Sequence, residues 1–273
     1  LLRVQAQSQQ LWEQQPDHSL LVLVQYLFDP GLSYSTTHAL LCAGLCQLVA
    51  ASAEVAAEEQ LRLSQAALTM NMGMIELQGR LANQVTPVTP TQREVIRGHP
   101  RRSVEFLETA GIADRDWLDA VEQHHEAPDG SGYPRGLREV APLATLLRHA
   151  DVYTAMLSTR INRAALPANH AARRLFLGHQ SDPTALALVK EFGIYPPGCY
   201  VRLASGEIGV VVKRGEQANA PVVAALVDRR GDALMEPVRR STASPEHAIT
   251  EVVDEKTVRV RVSAEKLVAL ARS

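Results

Sequence analysis

The sequence predicts a mainly α-helical domain followed by a small β-rich one, and three observations predict it. Its apolar mass is Leu, Ala and Val, with only 4% aromatic residues among 273, a composition suited to helices packed on helices. Up to about Phe192 the apolar runs are long and open at Ser, Thr, Asp or Pro, residues that start helices. Beyond Gly193-Ile194-Tyr195-Pro196-Pro197-Gly198 the runs become short, divided by Ser205-Gly206, Arg214-Gly215 and Arg230-Gly231 turns, the pattern of strands. The organisation expected is a helical connector over 1–30, a helical domain over 31–194 and a small β domain over 195–273.

Taken in order, the Gln-rich stretch from Val4 to Gln15 reads as a polar helix broken at Pro16-Asp17. Leu20, Leu21, Leu23, Val24, Tyr26 and Leu27 form a short buried helix ending at Asp29-Pro30-Gly31. Ser35-Thr36-Thr37 starts a long apolar helix, with Ser35 or Thr37 placed to cap it and His38 in its first turn. Cys42 and Cys46, one turn apart on it, suit small core positions better than ligand positions. Glu58-Glu59-Gln60 opens the next helix, which runs to Met70-Asn71-Met72-Gly73-Met74, and Ile75 to Ala82 continues helical.

After a Pro-punctuated loop from Val85 to Pro90, Thr91-Gln92-Arg93-Glu94 starts a helix leading to His99-Pro100, where Pro marks a boundary. Asp114 to His125 carries an apolar stripe of Trp117, Leu118 and Val121. Leu143, Leu146 and Leu147 then lead into an apolar helix holding Asp151, a carboxylate that requires a cation or a donor there. His149 reads as structural. Helices follow around Asn169 to Leu177 and Asp182 to Phe192. Strands are expected at Tyr200 to Leu203, Gly209 to Lys213, Val222 to Val227 and Val258 to Val262, making a small barrel or curled sheet, and Ser263 to Arg272 closes as a helix.

A formal charge of -2 argues against broad binding of nucleic-acid polymers. The three cysteines lack zinc-finger spacing and are odd in number, which fits a reducing cytosol rather than a disulfide framework. Leu20 to Phe28 is too short to span a bilayer, and no secretory signal precedes it. The chain begins with Leu rather than Met, as a fragment lacking an upstream sensor or receiver region would.

The densest chemistry lies in His124-His125-Glu126-Ala127-Pro128-Asp129-Gly130-Ser131-Gly132-Tyr133-Pro134-Arg135-Gly136-Leu137. Two adjacent imidazoles suit a transition metal better than a helix core, and the glycines permit positive φ and close backbone approach to a ligand. This string closely resembles the signature of HD-GYP domains, metal-dependent phosphodiesterases mainly of cyclic di-GMP. The resemblance implies an all-helical HD bundle, and the C-terminal strands resemble the β extension of some members. It also implies metal ligands at His38, His99, His124, His125 and Asp151, a GYP loop of Gly132, Tyr133 and Pro134, and phosphate contacts from Arg160 and Arg163. In that family the GYP loop is also tied to contacts with diguanylate cyclase domains, and the setting is the bacterial cytoplasm.

The chain departs from the family where an HD-GYP protein reads His-Asp and then Gly-Lys. Met70 stands for the His, Asn71 for the Asp and Met74 for the Lys, while Gly73 remains. A bridging carboxylate holds two cations about 3.5–4 Å apart for in-line attack on phosphorus. Asn offers only a neutral carbonyl oxygen, and the Met thioether is too soft for such a site. A binuclear centre is therefore expected to be badly weakened, leaving one divalent ion, Fe, Mn or Zn. The favoured reading is a degenerate HD-GYP module that binds cyclic di-GMP or a partner protein. The alternatives are an active phosphodiesterase with a mononuclear site and a scaffold that binds no nucleotide.

Overall fold

A computed structural model describes residues 2–27, 32–158, 165–179, 182–260 and 262–272. The central element is α3 (Tyr34–Ser52), which carries no Asp, Glu, Lys or Arg and is buried along most of its length, including Leu41, Leu45 and Val49. A helix apolar on all sides can be stable only when neighbours surround it. Around it pack α1 (Leu2–Gln14), α2 (Pro16–Tyr26), α4 (Ala57–Thr69), α5 (Ile75–Ala82), α8 (Pro142–Leu157) and α10 (Pro183–Phe192). Gly44 lets the Trp12 indole lie directly against α3, since a Cβ there would meet the ring.

Local chemistry sets the helix ends, not always as the sequence suggested. The N-cap of α3 is Ser33; Thr37 Oγ1 donates back to the Ser33 carbonyl at 2.8 Å and Ser35 Oγ to the Ile75 carbonyl at 3.2 Å, so neither caps the helix. Thr89 and Gln92 form a capping box at the start of α6 (Pro90–Thr109). This helix runs through Pro100 instead of stopping there. Its neighbouring turn holds it: Ser103 Oγ donates to the Met70 carbonyl at 2.8 Å and accepts from Gly73 N at 2.9 Å. Asp114 caps α7 (Arg115–Gln123), and Asp182 caps α10. As expected of a structural residue, His149 ties α8 to that second cap, reaching Thr184 Oγ1 at 2.9 Å. The expected helix end at Asp29-Pro30-Gly31 lies outside the described residues.

After α9 (Ala168–Gly178) and α10 the chain enters an antiparallel sheet of β1 (Tyr200–Leu203), β2 (Ile208–Lys213), β3 (Val222–Val227), β4 (Ala233–Ser241) and β5 (Ile249–Val253). Its order is β4-β3-β2-β1-β5. The first three strands fall where alternation and turns place them. The expected strand from Val258 does not form over the described part of that stretch; Val258 instead packs with Leu267 and Val268 of α11 (Ala264–Arg272). β4 escaped notice because it is an exposed edge carrying Pro237, Glu236, Arg239 and Arg240, as edge strands do. With β4 and β5 at opposite edges and unpaired to each other, the sheet is open among the described residues rather than a closed barrel.

The sheet is fastened to the helices by Leu21 of α2, which shares a core with Tyr200, Val210 and Leu226. Arg214 adds an ion pair to Asp17 at 2.6 Å and a hydrogen bond to the Glu191 carbonyl at 2.7 Å. Among the described residues no helix is long and apolar enough to cross a membrane.

Candidate metal centre

Two groups of donors lie within the helical bundle. The first comes from α6 and the end of α7. His99 Nδ1–H donates to the Ile96 carbonyl and His124 Nδ1–H to the Val121 carbonyl, each at 2.6 Å. A carbonyl only accepts, so both imidazoles are fixed with the proton on Nδ1 and a lone pair on Nε2. Those two Nε2 atoms stand 3.2 Å apart. Facing lone pairs at that separation repel one another. The spacing suits two ligands of one ion, since nitrogens about 2.0–2.1 Å from a tetrahedral metal lie only slightly farther apart.

His125 completes the group, its ring 4.2 Å from that of His124 and 5.1 Å from that of His99 between centroids. One ligand atom from each of the three lies within 4.8 Å of the others. Burial, then the neighbouring imidazole, pushes His99 and His124 down to about 4 and His125 to about 3. All three are therefore neutral near pH 7, the form that binds a metal.

The second group is built from α3 and α8. His38 Nε2 donates to Asp151 Oδ1 at 2.8 Å, joining residues 113 positions apart. Burial opposes the charge on each, but it is outweighed: Cys42 and Asp151 raise His38 to about 10, and the His38 hydrogen bond holds Asp151 well below the usual carboxylate range. Asp151 also feels His124 and His125, so the two groups share one electrostatic pocket. Cys42, read from the sequence as a core residue, has its Sγ 3.6 Å from His38 Nε2, and His38, Cys42 and Asp151 meet the same 4.8 Å convergence. Its signal was the four-residue spacing from His38, which puts both on one helix face.

The turn after α4 holds the residues that replace the family's pair. Met70 is fully buried and belongs to the apolar core of the bundle, so it packs. Asn71 is 8% exposed, and neither polar atom of its amide has a partner among the described residues. Gly73 permits this turn to touch α6, since a Cβ would stand 2.5 Å from the His99 carbonyl oxygen.

The loop after α7 is folded back by Glu126, a buried carboxylate to which sequence reasoning assigned no role. It accepts from Arg135 N at 2.7 Å and Leu137 N at 2.9 Å. Gly132 lies against the Glu126–Ala127 backbone, where a Cβ would come within 2.4 Å of Ala127 N. Tyr133 stacks on His125 with centroids 4.5 Å apart, Arg97 lies over its ring, and Pro134 follows. Tyr133 thus walls the three-imidazole group on the His125 side. Arg160 and Arg163 lie outside the described residues.

Comparison with known proteins places this geometry. A cyclic di-GMP phosphodiesterase of Pseudomonas aeruginosa is 33% identical over 153 residues, 55% of this chain and 37% of that protein. The cyclic di-GMP phosphodiesterase response regulator RpfG of Xanthomonas campestris is 34% identical over 135 residues, 46% of this chain and 35% of its own. A 3'3'-cGAMP-specific phosphodiesterase of Vibrio cholerae is 23% identical over 181 residues, covering 65% and 39%. The chain spans little more than a third of the length of these relatives. Among solved structures, an HDG"Y"P protein from Bdellovibrio bacteriovorus has the same fold, with a TM-score of 0.50 and 18% identity over 68% of this chain and 69% of the other. The model of the HD domain family matches residues 23–184. That span is more than half of the chain and includes every donor of both groups, and the chain accordingly belongs to the HD domain family, whose members bind divalent metals.

Proposed function

We propose that this chain is a degenerate HD-GYP signalling module of the bacterial cytoplasm. It holds a divalent ion, Fe, Mn or Zn, on His99, His124 and His125, binds cyclic di-GMP or a related nucleotide, and hydrolyses it weakly or not at all. The observation that carries this reading is the contrast between three convergent neutral imidazoles and the turn packed on α6, where Met70 lies in the apolar core and Asn71 stands in place of a carboxylate. When bound, such an ion polarises a phosphoryl oxygen and neutralises its charge. The chain's own residues do the rest. The Ile96 and Val121 carbonyls orient the ligands, the outer-shell role that sets affinity in metal sites. Tyr133 and the Glu126-held loop exclude water from one side of His125. Arg160 and Arg163 supply guanidinium forks for the nucleotide phosphates.

Without a carboxylate at position 71, no bridge joins two cations as in-line attack requires. The GYP loop remains a docking element for a diguanylate cyclase domain. The reading also divides the chain into a connector over 1–30, an HD-GYP-like domain over 31–194 and a β domain over 195–273. The family match over residues 23–184 and the sheet cores, to which only Leu21 is added from the helices before β1, support the division between the helical and β parts.

The test combines calorimetric titration of cyclic di-GMP with a hydrolysis assay in added Mn(II) or Fe(II), on the wild type and on His124→Ala. The expected result is nucleotide binding without turnover, with metal retained by the wild type and lost from the variant. Sustained turnover would establish the active mononuclear enzyme instead. Absence of both metal and nucleotide binding would leave a scaffold.

A further inference from the structure

The α3–α8 group contains a donor that the HD-GYP resemblance does not supply. Cys42 lies one helical turn after His38, with its Sγ 3.6 Å from His38 Nε2, and Asp151 reaches the same nitrogen at 2.8 Å from α8. All three side chains are nearly inaccessible, and their donor atoms converge within 4.8 Å. Cys46, one turn farther along the same helix and equally buried, is not part of this convergence. The Asn71 amide, on the turn after α4, is also buried and lacks a hydrogen-bond partner among the described residues, a condition that calls for an explanation.

We propose that His38, Cys42 and Asp151 form a second cation site, in which the Cys42 thiolate supplies the negative charge that Asn71 no longer offers. This rests on the reading of the pocket as a metal centre. On binding, the ion would take the place of the proton between His38 and Asp151, and both that proton and the Cys42 thiol proton would pass to solvent. A nitrogen, sulfur and oxygen donor set selects borderline ions, Zn(II), Co(II) or Fe(II), over Mg(II), Ca(II) or Mn(II). A thiolate also gives electron density to its ion and lowers its acidity toward phosphate, in keeping with a module that binds more than it cleaves.

The experiment is titration of the purified chain with Co(II), followed in the near ultraviolet, where thiolate-to-cobalt charge transfer absorbs, and in the visible, where the ligand field absorbs. The wild type should show the near-ultraviolet band, Cys46→Ala should keep it, and Cys42→Ser and Cys42→Ala should lose it completely. Circular dichroism checks that each variant is folded, and the wild-type spectrum tests the idea without any variant. His124→Ala should remove the visible absorption of the three-imidazole group and leave the near-ultraviolet band. Wild-type visible absorption with no charge-transfer band overturns the sulfur site and leaves the three-imidazole site standing. A band that survives in folded Cys42→Ala also overturns it. A charge-transfer band with no His124-dependent absorption would support the sulfur site and remove the metal from the imidazole group.

Discussion

The two donor groups differ in how they are held. In the three-imidazole group, His99 and His124 are each oriented by a carbonyl three residues earlier in the same helix. The geometry is local, and any chain that forms α6 and α7 forms most of the site. The His38–Asp151 pair joins two helices 113 residues apart, and the turn that should complete it carries residues of different chemistry. Locally organised ligands can persist on helix geometry alone, whereas a site assembled from distant elements depends on every one of them. On the reading proposed above, this chain keeps the first half of the family's constellation and departs from it in the second.

The sharpest way to break that comparison is to restore the missing pair. Met70→His with Asn71→Asp returns an imidazole and a bridging carboxylate to the turn. In a degenerate module, this double variant should gain metal and turn over cyclic di-GMP where the wild type does not. Both substitutions are buried, so the metal-free variant should be less stable than the wild type, by a few kcal/mol. Chelator-dependent melting would show whether metal recovers that loss. If occupancy and turnover are unchanged in a folded variant, the turn is not what limits the site.

A smaller effect separates the two groups by pH. In the metal-free chain, His99 and His124 titrate near 4, below the ordinary 6.5, so the unfolded state binds more protons between those values. Stability must then fall as pH drops through that window, on the order of 3 kcal/mol for either residue and not additive between neighbours. His38 has the opposite sign. Its pKa is raised to about 10, so its contribution is full below about 6.5 and is lost as pH rises toward 10. Denaturant melts from pH 4 to 10 should show both limbs. His99→Ala should make the acid limb shallower, with His124 and His125 still contributing, and His38→Ala should flatten the alkaline one. An unchanged acid limb in His99→Ala would place the acid sensitivity elsewhere.

What could be read in advance follows the same division. The helices and three strands were legible because their periodicity and caps are written within a few residues. His124, His125 and the GYP loop were legible as a string, and the family resemblance linked them to His38, His99 and Asp151. Glu126 was present in that string, but its role depends on which backbone donors the loop turns back toward it, and spacing does not encode that. Cys42 lies in the apolar core as read, but its approach to His38 was not legible, because burial and ligation look alike for a cysteine on an apolar helix and only the 3.6 Å contact distinguishes it. β4 was missed because its stability comes from pairing with β3, not from its own polar, Pro-bearing sequence. Pro100 was read as a boundary because the turn that pins α6 lies some thirty residues away, at Met70 and Gly73.

That pin permits the finest test, because Ser103 is the hydrogen-bonded link between the altered turn and the helix that carries His99. Ser103→Ala removes two bonds at once and leaves Gly73 N–H and the Met70 carbonyl buried without their partner. The expected cost is about 2 kcal/mol, within the range for unsatisfied buried backbone groups, visible as a fall of several degrees in Tm. Since Gly73 packs on the His99 carbonyl, a loosened turn should also let His99 shift, weakening metal binding by about tenfold, as loss of an outer-shell contact does. Chelator competition measures this separately from stability. A variant that loses stability but binds metal as tightly as the wild type would show that the imidazole group is held by its own helices alone, and that the turn changed without consequence for it.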